Sequence, residues 1–433
     1  MRLVVAVVVV LAACGDGVGA PDATPPADAD VGLVRVRYHG DVLENHPVFF
    51  QNADGSLVLA TRTGIDGRAN AYMAPGGYVT LIDIRPSTRF LYTWAHVEPG
   101  DDLVLDLGPV AGIDPTTTLT ISIPIDPGAS FYQLSSTCGS DNISAAAGTA
   151  LVIELGDCRG HADMLVVAFG TNFRYIFAKD VPASDGSTVT LRPPYILMER
   201  STVEVRNAPS GSSQMDVVQR LVGEGHERFA PINSGFGFTS TPLAGGAGTV
   251  NFDMPLPPAA TMLTEVTPHD GFGIGRQHVA RWESTSTTTD IDFAATTLRR
   301  YLSRPRYNPL AHAITWSEEA TGTTANTVLA TFTWFRPEIG GNYQWRIFAP
   351  RDADPIVKFP VLPDPQYLVR EHDSVIEPHS LINIAVQGGY SQIRARLPIT
   401  FAENSASDNP WPADGASGEV VYQELTPDQF PPD

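Results

Sequence analysis

Short runs of alternating apolar and polar residues fill this chain from Val31 onward, cut at roughly ten-residue intervals by Gly, Pro or Asp-Gly steps. Such a pattern dictates strands. Alternate side chains of a strand point to opposite faces, whereas an amphipathic helix needs apolar residues three and four apart. Leu33-Val34-Arg35-Val36-Arg37-Tyr38, Thr118-Leu119-Thr120-Ile121-Ser122-Ile123 and Thr188-Val189-Thr190-Leu191 all alternate in this way. With 38 Gly and 36 Pro among 433 residues, few stretches are long enough to hold a helix. An apolar fraction of 43% supplies cores and excludes wholesale disorder. The expected fold class is all-β, a set of tandem antiparallel β-sandwich domains. One helix is expected, over Ser213 to Val222, where Val218, Leu221 and Val222 share a helical face.

Charge removes one class of partner. Lys and Arg number 28 against 48 Asp and Glu, a formal charge of −20, and Lys179 and Lys358 are the only lysines. A surface this acidic repels phosphate backbones, so no nucleic acid is expected as a ligand.

The N-terminus reads as an address. Met1-Arg2 precedes nine apolar residues, Leu3 to Leu11, too few for the ~20 of a membrane span but suited to a secretory signal. Leu11-Ala12-Ala13-Cys14 resembles the lipobox of bacterial lipoproteins. The resemblance implies removal of residues 1–13 and a diacylglycerol on the Cys14 sulfur. It also implies an exported outer-membrane lipoprotein, periplasmic or surface-exposed, since Gly15 replaces the Asp of an inner-membrane retention signal. Residues 14–30, mostly Gly, Ala, Pro, Asp and Val, read as a flexible tether. With Cys14 given to lipid, Cys138 and Cys158 remain, and an oxidising compartment makes them an expected disulfide.

Domain organisation follows from the turns. Thr63, Asp66-Gly67, Met73 and Gly77-Tyr78-Val79 occur in an order that resembles the carboxypeptidase regulatory-like, or transthyretin-like (prealbumin), β-sandwich. Over residues 31–110 that resemblance implies seven strands and no chemistry of their own. Residues 111–200 are expected to form a second sandwich carrying the disulfide. Residues 201–402 are expected to form a C-terminal β-rich domain, and 403–433, with seven acids and no bases, an irregular acidic tail.

Catalytic patterns were sought and not met. None of the ten histidines has Glu three residues on, and His226-Glu227-Arg228-Phe229-Ala230 places Ala where a zincin needs its second His. Gly-x-Ser-x-Gly is absent. No catalytic residue, metal or cofactor is expected. Two constellations are candidate ligand contacts. Arg299, Arg300, Arg304 and Arg306 place four guanidiniums within eight residues, suited to carboxylate or phosphate on a cell-envelope polysaccharide or a lipid head group. Trp316, Trp334 and Trp345, with Phe332 and Tyr343, could stack on sugar rings or on a partner protein. Internal ion pairing for the first set, and core packing for the second, are the competing readings. The expected function is a non-enzymatic, lipid-anchored cell-envelope protein with a binding or structural role. The alternative is an exported hydrolase, acting on glycan or peptide, with its site in 201–402.

Overall fold

A computed structural model describes residues 32–39, 44–106, 117–136, 138–144, 150–155, 160–222, 238–257, 260–270, 277–293, 300, 302–308, 310–319, 322–370, 373–386, 389–394, 396–398 and 418–425. The lipobox, the tether and Cys158 lie outside them. Among the described residues the regular structure is all strand apart from two 3₁₀ turns and the four-residue helix Tyr390–Ile393.

Residues 32–106 set out a plan that recurs. The opening strand, Gly32–His39, lies between Arg68–Met73, antiparallel to it, and Asp102–Asp106, parallel to it. Facing this layer are four strands in the order Thr88–Val97, Gly77–Ile84, Pro47–Gln51, Leu57–Arg62. Seven strands in two layers is the count that the sequence resemblance implies.

Residues 117–190 repeat the plan. Thr117–Ser122 lies between Ala150–Leu155 and Thr188–Thr190, against Arg174–Ala183, Gly160–Gly170, Ala129–Ser136 and Gly139–Ser144. Residues 199–292 repeat it again. There Glu199–Arg206 lies between Gly248–Met254 and Thr288–Asp292, against Gln277–Ser284, Thr261–His269, Gln214–Val222 and Phe238–Pro242. In the fourth sandwich the four-stranded layer is Gly418–Leu425, Ser374–Val386, Thr327–Arg336, Gly341–Pro350. Opposite it Ala313–Glu318 pairs antiparallel with Ile356–Lys358 on one side and with Leu302–Asn308 on the other.

Each sandwich is packed around apolar residues, and the packing runs on between neighbours: Leu165, Val167, Phe169 and Tyr175 of the second join the core of the third. Val34, Phe50, Leu81 and Trp94 fill the first, Leu119, Tyr132 and Val166 the second, and Val203, Met215 and Phe252 the third. Ile314, Phe332, Trp334, Trp345 and Phe359 fill the fourth. The alternation that predicts strands is what fills these layers.

The sandwiches are not beads on a string. Gln277–Ser284 of the third pairs with Gly418–Leu425 of the fourth. Gly341–Pro350 of the fourth runs parallel to Thr88–Val97 of the first, from Asn342 beside Thr88 to Phe348 beside Trp94. The four-stranded layers of the first, third and fourth sandwiches thereby join into one twelve-stranded sheet. A clasp reinforces the joint. Arg396–Pro398 adds to the first sandwich beside Asp102–Asp106, the Tyr390 hydroxyl reaches the carbonyls of Ala95 and Phe348, and Arg394 pairs with Asp101 at 2.7 Å.

Turn chemistry holds the first sandwich in register. Gly67, of the Asp66-Gly67 turn, has φ of 68°, which L side chains rarely adopt. A Cβ at Gly77 would sit 2.4 Å from the Gln51 carbonyl oxygen, so the neighbouring strands approach only because that residue is Gly.

Three expectations are corrected. Gln214–Val222 is a strand, not a helix: Met215, Val217, Gln219 and Leu221 face the core, and Gln219 Nε2 donates to Thr264 Oγ1 at 3.1 Å. The stretch 201–402 holds the third sandwich and most of the fourth. The acidic tail is not wholly irregular, because Gly418–Leu425 supplies an inner strand of the long sheet. Its backbone is hydrogen-bonded on both sides regardless of its charge.

Candidate ligand-binding face

The three-stranded layer of the fourth sandwich gathers the basic residues that the sequence singles out. Tyr307, Ile314 and Val357 stand in one row across it, and Asn308, Ala313 and Lys358 in the next. Alternation fixes the faces. Ile314, Trp316 and Val357 turn into the core. Arg306, Asn308 and Lys358 are exposed on the outside, with Thr315 half-buried between them.

Arg304 arrives by another route. The register slips between Ser303 and Arg306, Arg304 takes φ of 50°, and Pro305 is buried. A bulge of this kind re-aims a side chain, here into solvent. Arg300 is half-buried, its Nε 3.5 Å from the Gly322 carbonyl, and Arg299 lies outside the described residues. Among the described residues Arg300, Arg304 and Lys358 form no ion pair. Internal pairing, the competing reading of the arginine run, is not met at Arg300 and Arg304, while Arg306 does have an interaction of its own. Glu319, two residues after Ser317, and Asp354, two before Ile356, are exposed acids at the ends of this layer. The outcome is an exposed patch with Arg304, Arg306 and Lys358 beside neutral Thr and Asn side chains, on a chain of charge −20.

Lys358 was missed in the sequence. It lies 52 residues after Arg306, and only the pairing of Ala313–Glu318 with strands on both sides brings the two onto one face.

The tryptophans belong elsewhere. Trp334 and Trp345 are 0% and 1% exposed and Trp316 is 5% exposed. Trp334 stacks on Tyr343 with centroids 4.9 Å apart, and Trp345 meets Phe359 edge-on at 5.2 Å. Trp345 Nε1 donates to Thr93 Oγ1 of the first sandwich at 2.8 Å. Trp316 Nε1 donates to Glu318, which Arg351 also grips at 2.9 Å. These rings present no platform to a ligand, which corrects the contact expected of them; aromatic area this large is hidden by folding. Tyr307 packs at the rim of the same core, and burial pushes its hydroxyl up to about 12.

Two histidine contacts occur in the third sandwich. His269 Nε2 lies 3.3 Å from Asp216 Oδ1, and His278 Nδ1 lies 2.7 Å from Thr267 Oγ1. Among the described residues no group of three His, Cys, Asp or Glu is arranged to hold a metal. Cys138 follows Ala129–Ser136 in the hairpin turn, at the sheet end where Gly160–Gly170 begins, since Ser136 pairs with Met164.

No family model matches this sequence, and no curated protein matches it. Among solved structures, the Bacillus anthracis TIE protein aligns at 11% identity and TM-score 0.16, over 61% of this chain and 50% of its own. This chain therefore spans about half the length of that protein. A Streptococcal ancillary pilin aligns at 10% and 0.16, over 61% of this chain and 99% of its own. The pilus adhesin SpaC from Lactobacillus rhamnosus GG aligns at 10% and 0.14, over 77% and 44%. Scores this low carry no functional argument, and the reading rests on the chain's own residues.

Proposed function

We propose that this chain is a non-enzymatic, lipid-anchored protein of the bacterial cell envelope that holds a binding face away from the membrane. The observation that carries the reading is the twelve-stranded sheet. By pairing residues 88–94 with 342–348, it makes the first and last sandwiches one body. A body built this way is suited to bearing a surface in a fixed place, and it uses its large aromatic residues and its most buried Arg for packing. The lipobox at Cys14 and the tether over 14–30 supply the attachment. The basic patch at Arg304, Arg306 and Lys358 supplies the face, suited to an acidic envelope polysaccharide because guanidinium and ammonium groups bind carboxylate and phosphate.

Attachment is tested by replacing Cys14 with Ala in the producing cell. The wild-type chain is expected in the membrane fraction with an acylated N-terminal Cys14 peptide, since each buried CH₂ adds about 0.8 kcal/mol of anchoring. The Cys14→Ala chain is expected unprocessed or released. Equal membrane partitioning of the two chains overturns the anchored reading.

A further inference from the structure

The long sheet ends at Leu57–Arg62, with no strand among the described residues paired on its outer side. Which backbone groups are open follows from the register. Thr63 N–H donates to the His46 carbonyl, and Thr63 C=O accepts from Asn45 N–H, so both groups of Thr63 face inward. In an antiparallel pair this orientation alternates. Thr61 therefore also faces inward, while Ala60 and Arg62 aim their N–H and C=O outward. Pro47, which has no N–H, stands opposite Arg62. No hydrogen bond among the described residues reaches the outward groups of Ala60 or Arg62.

One of the usual protections is present, a register shift that skips Val58 between Leu59 and Leu57, and most of the others are lacking. Leu57-Val58-Leu59-Ala60-Thr61-Arg62 contains no Pro, no Lys and no acid. Leu57 and Leu59 are 47% and 39% exposed, and Ile65, just past the strand, is 81% exposed. Open backbone beside exposed apolar side chains is a template for another strand.

We infer that Leu57–Arg62 pairs antiparallel with the same strand of a second copy of this chain, about a two-fold axis at Thr61. Three observations select that occupant. In this register Ala60 faces the partner's Arg62 and Arg62 the partner's Ala60, so the open N–H and C=O groups of both copies are used. Thr61 meets its own counterpart, a favourable cross-strand pair, and the exposed Leu59 comes opposite the partner's Thr63. The arrangement also continues how the sheet is already assembled, since its three four-stranded layers are themselves joined strand to strand. Charge agrees as well: in a chain of −20 this strand carries one Arg and no acid, so two copies meet where repulsion is least.

The geometry sets the test. Residues opposite each other at a non-hydrogen-bonded position have Cα atoms about 4.5 Å apart, within disulfide range. In the full-length chain, Thr61→Cys is expected to give a reducible dimer on a non-reducing gel. Ile65→Cys, in the turn beyond the strand and away from the two-fold axis, is expected to stay monomeric, as is the unmutated chain. Adding Ala60→Pro removes an outward N–H without touching an inward bond. It is expected to cut the Thr61→Cys dimer at least fivefold while the thermal unfolding midpoint holds. Monomeric Thr61→Cys with a normal midpoint overturns the inference. Equal cross-linking at 61 and 65 overturns it too, as does an adduct of Thr61→Cys with a different protein.

Discussion

Arg336 grips Asp373 with two parallel hydrogen bonds, Nε at 3.0 Å and Nη2 at 2.8 Å, and both side chains are 2% exposed. The rest of the guanidinium is also occupied: Nη2 donates to the Leu368 carbonyl at 2.6 Å, and Nη1 to the Gln366 carbonyl at 2.5 Å. The Tyr343 ring lies 4.7 Å from the Arg336 Cζ. A fully buried cation is tolerable only with this degree of pairing. Here it ties the strand Thr327–Arg336 to the loop over 364–373 that closes the fourth core.

Breaking that pair from one side leaves a buried charge alone. Asp373→Ala is therefore expected to destabilise the chain by roughly 3–5 kcal/mol, read as a lowered denaturant midpoint. The pH dependence has a definite sign. Burial opposes ionisation of Asp373, but the Arg336 hydrogen bonds, the Arg370 backbone N–H and the two guanidinium charges outweigh it, holding the carboxyl below its usual value. A depressed folded value stabilises the chain above the ordinary Asp range near 3.9 and loses that contribution as pH falls through the folded value. The gap in melting temperature between wild type and Asp373→Asn should shrink on acidification through that window. A gap independent of pH counts against the assignment.

The clasp between the first and fourth sandwiches makes its own forecast. Tyr390 Oη lies 2.6 Å from the Ala95 carbonyl and 3.0 Å from that of Phe348, in a buried site. Tyr390→Phe is expected to cost about 1–3 kcal/mol, seen as faster amide exchange in strands Thr88–Val97 and Gly341–Pro350. Burial raises the hydroxyl well above the ordinary Tyr value. Its contribution is therefore complete below the unfolded value near 10 and declines above it, so the Phe variant should lose less stability in alkali than wild type does. Unchanged exchange at both strands would show the clasp to be ornamental.

We propose a disulfide between Cys138 and Cys158, as expected if the chain is exported. Cys138 packs against the second core, in a turn at the end of the sheet where Gly160–Gly170 begins. Closing the 20-residue loop adds roughly 3 kcal/mol on the chain-entropy model. Reduction should lower the unfolding transition of the second sandwich first; among the described residues it shares no sheet with the other three, while its Leu165, Val167 and Phe169 pack into the core of the third. Peptide mapping without reductant checks it directly: alkylatable thiols at both 138 and 158 would refute the pair.

Much of the fold was written locally. Leu33 to Tyr38, Thr118 to Ile123 and Asp66-Gly67 declare strands and a turn through residue type and alternation alone. What escaped depends on distant contacts. Val218, Leu221 and Val222 suit a helix face, and Gln219 at an inward position hides the alternation; its Nε2 finds Thr264, 45 residues away in sequence. The fourfold plan was concealed because its spacing is uneven and the fourth copy carries extra segments, among them the stretch over 359–370 that Arg336 holds and the Tyr390 clasp. Gly418–Leu425 was masked by acidic neighbours, and its place comes from open edges on either side. Of the basic face, the arginine run was legible and Lys358 was not, since strand pairing rather than sequence distance joins them.

The central claim is that the exposed layer of the fourth sandwich binds an acidic polysaccharide, and titration calorimetry tests it most directly. The full-length chain in detergent would be titrated with a polyuronate and, separately, with a neutral glucan of similar length. The account predicts binding of the polyuronate alone, weakening as salt rises. It also predicts at least a tenfold loss in the Arg304→Ala/Lys358→Ala variant, about 1.4 kcal/mol, with the melting temperature unchanged. Equal affinity for the neutral glucan, or full polyuronate binding by the double variant, would contradict it.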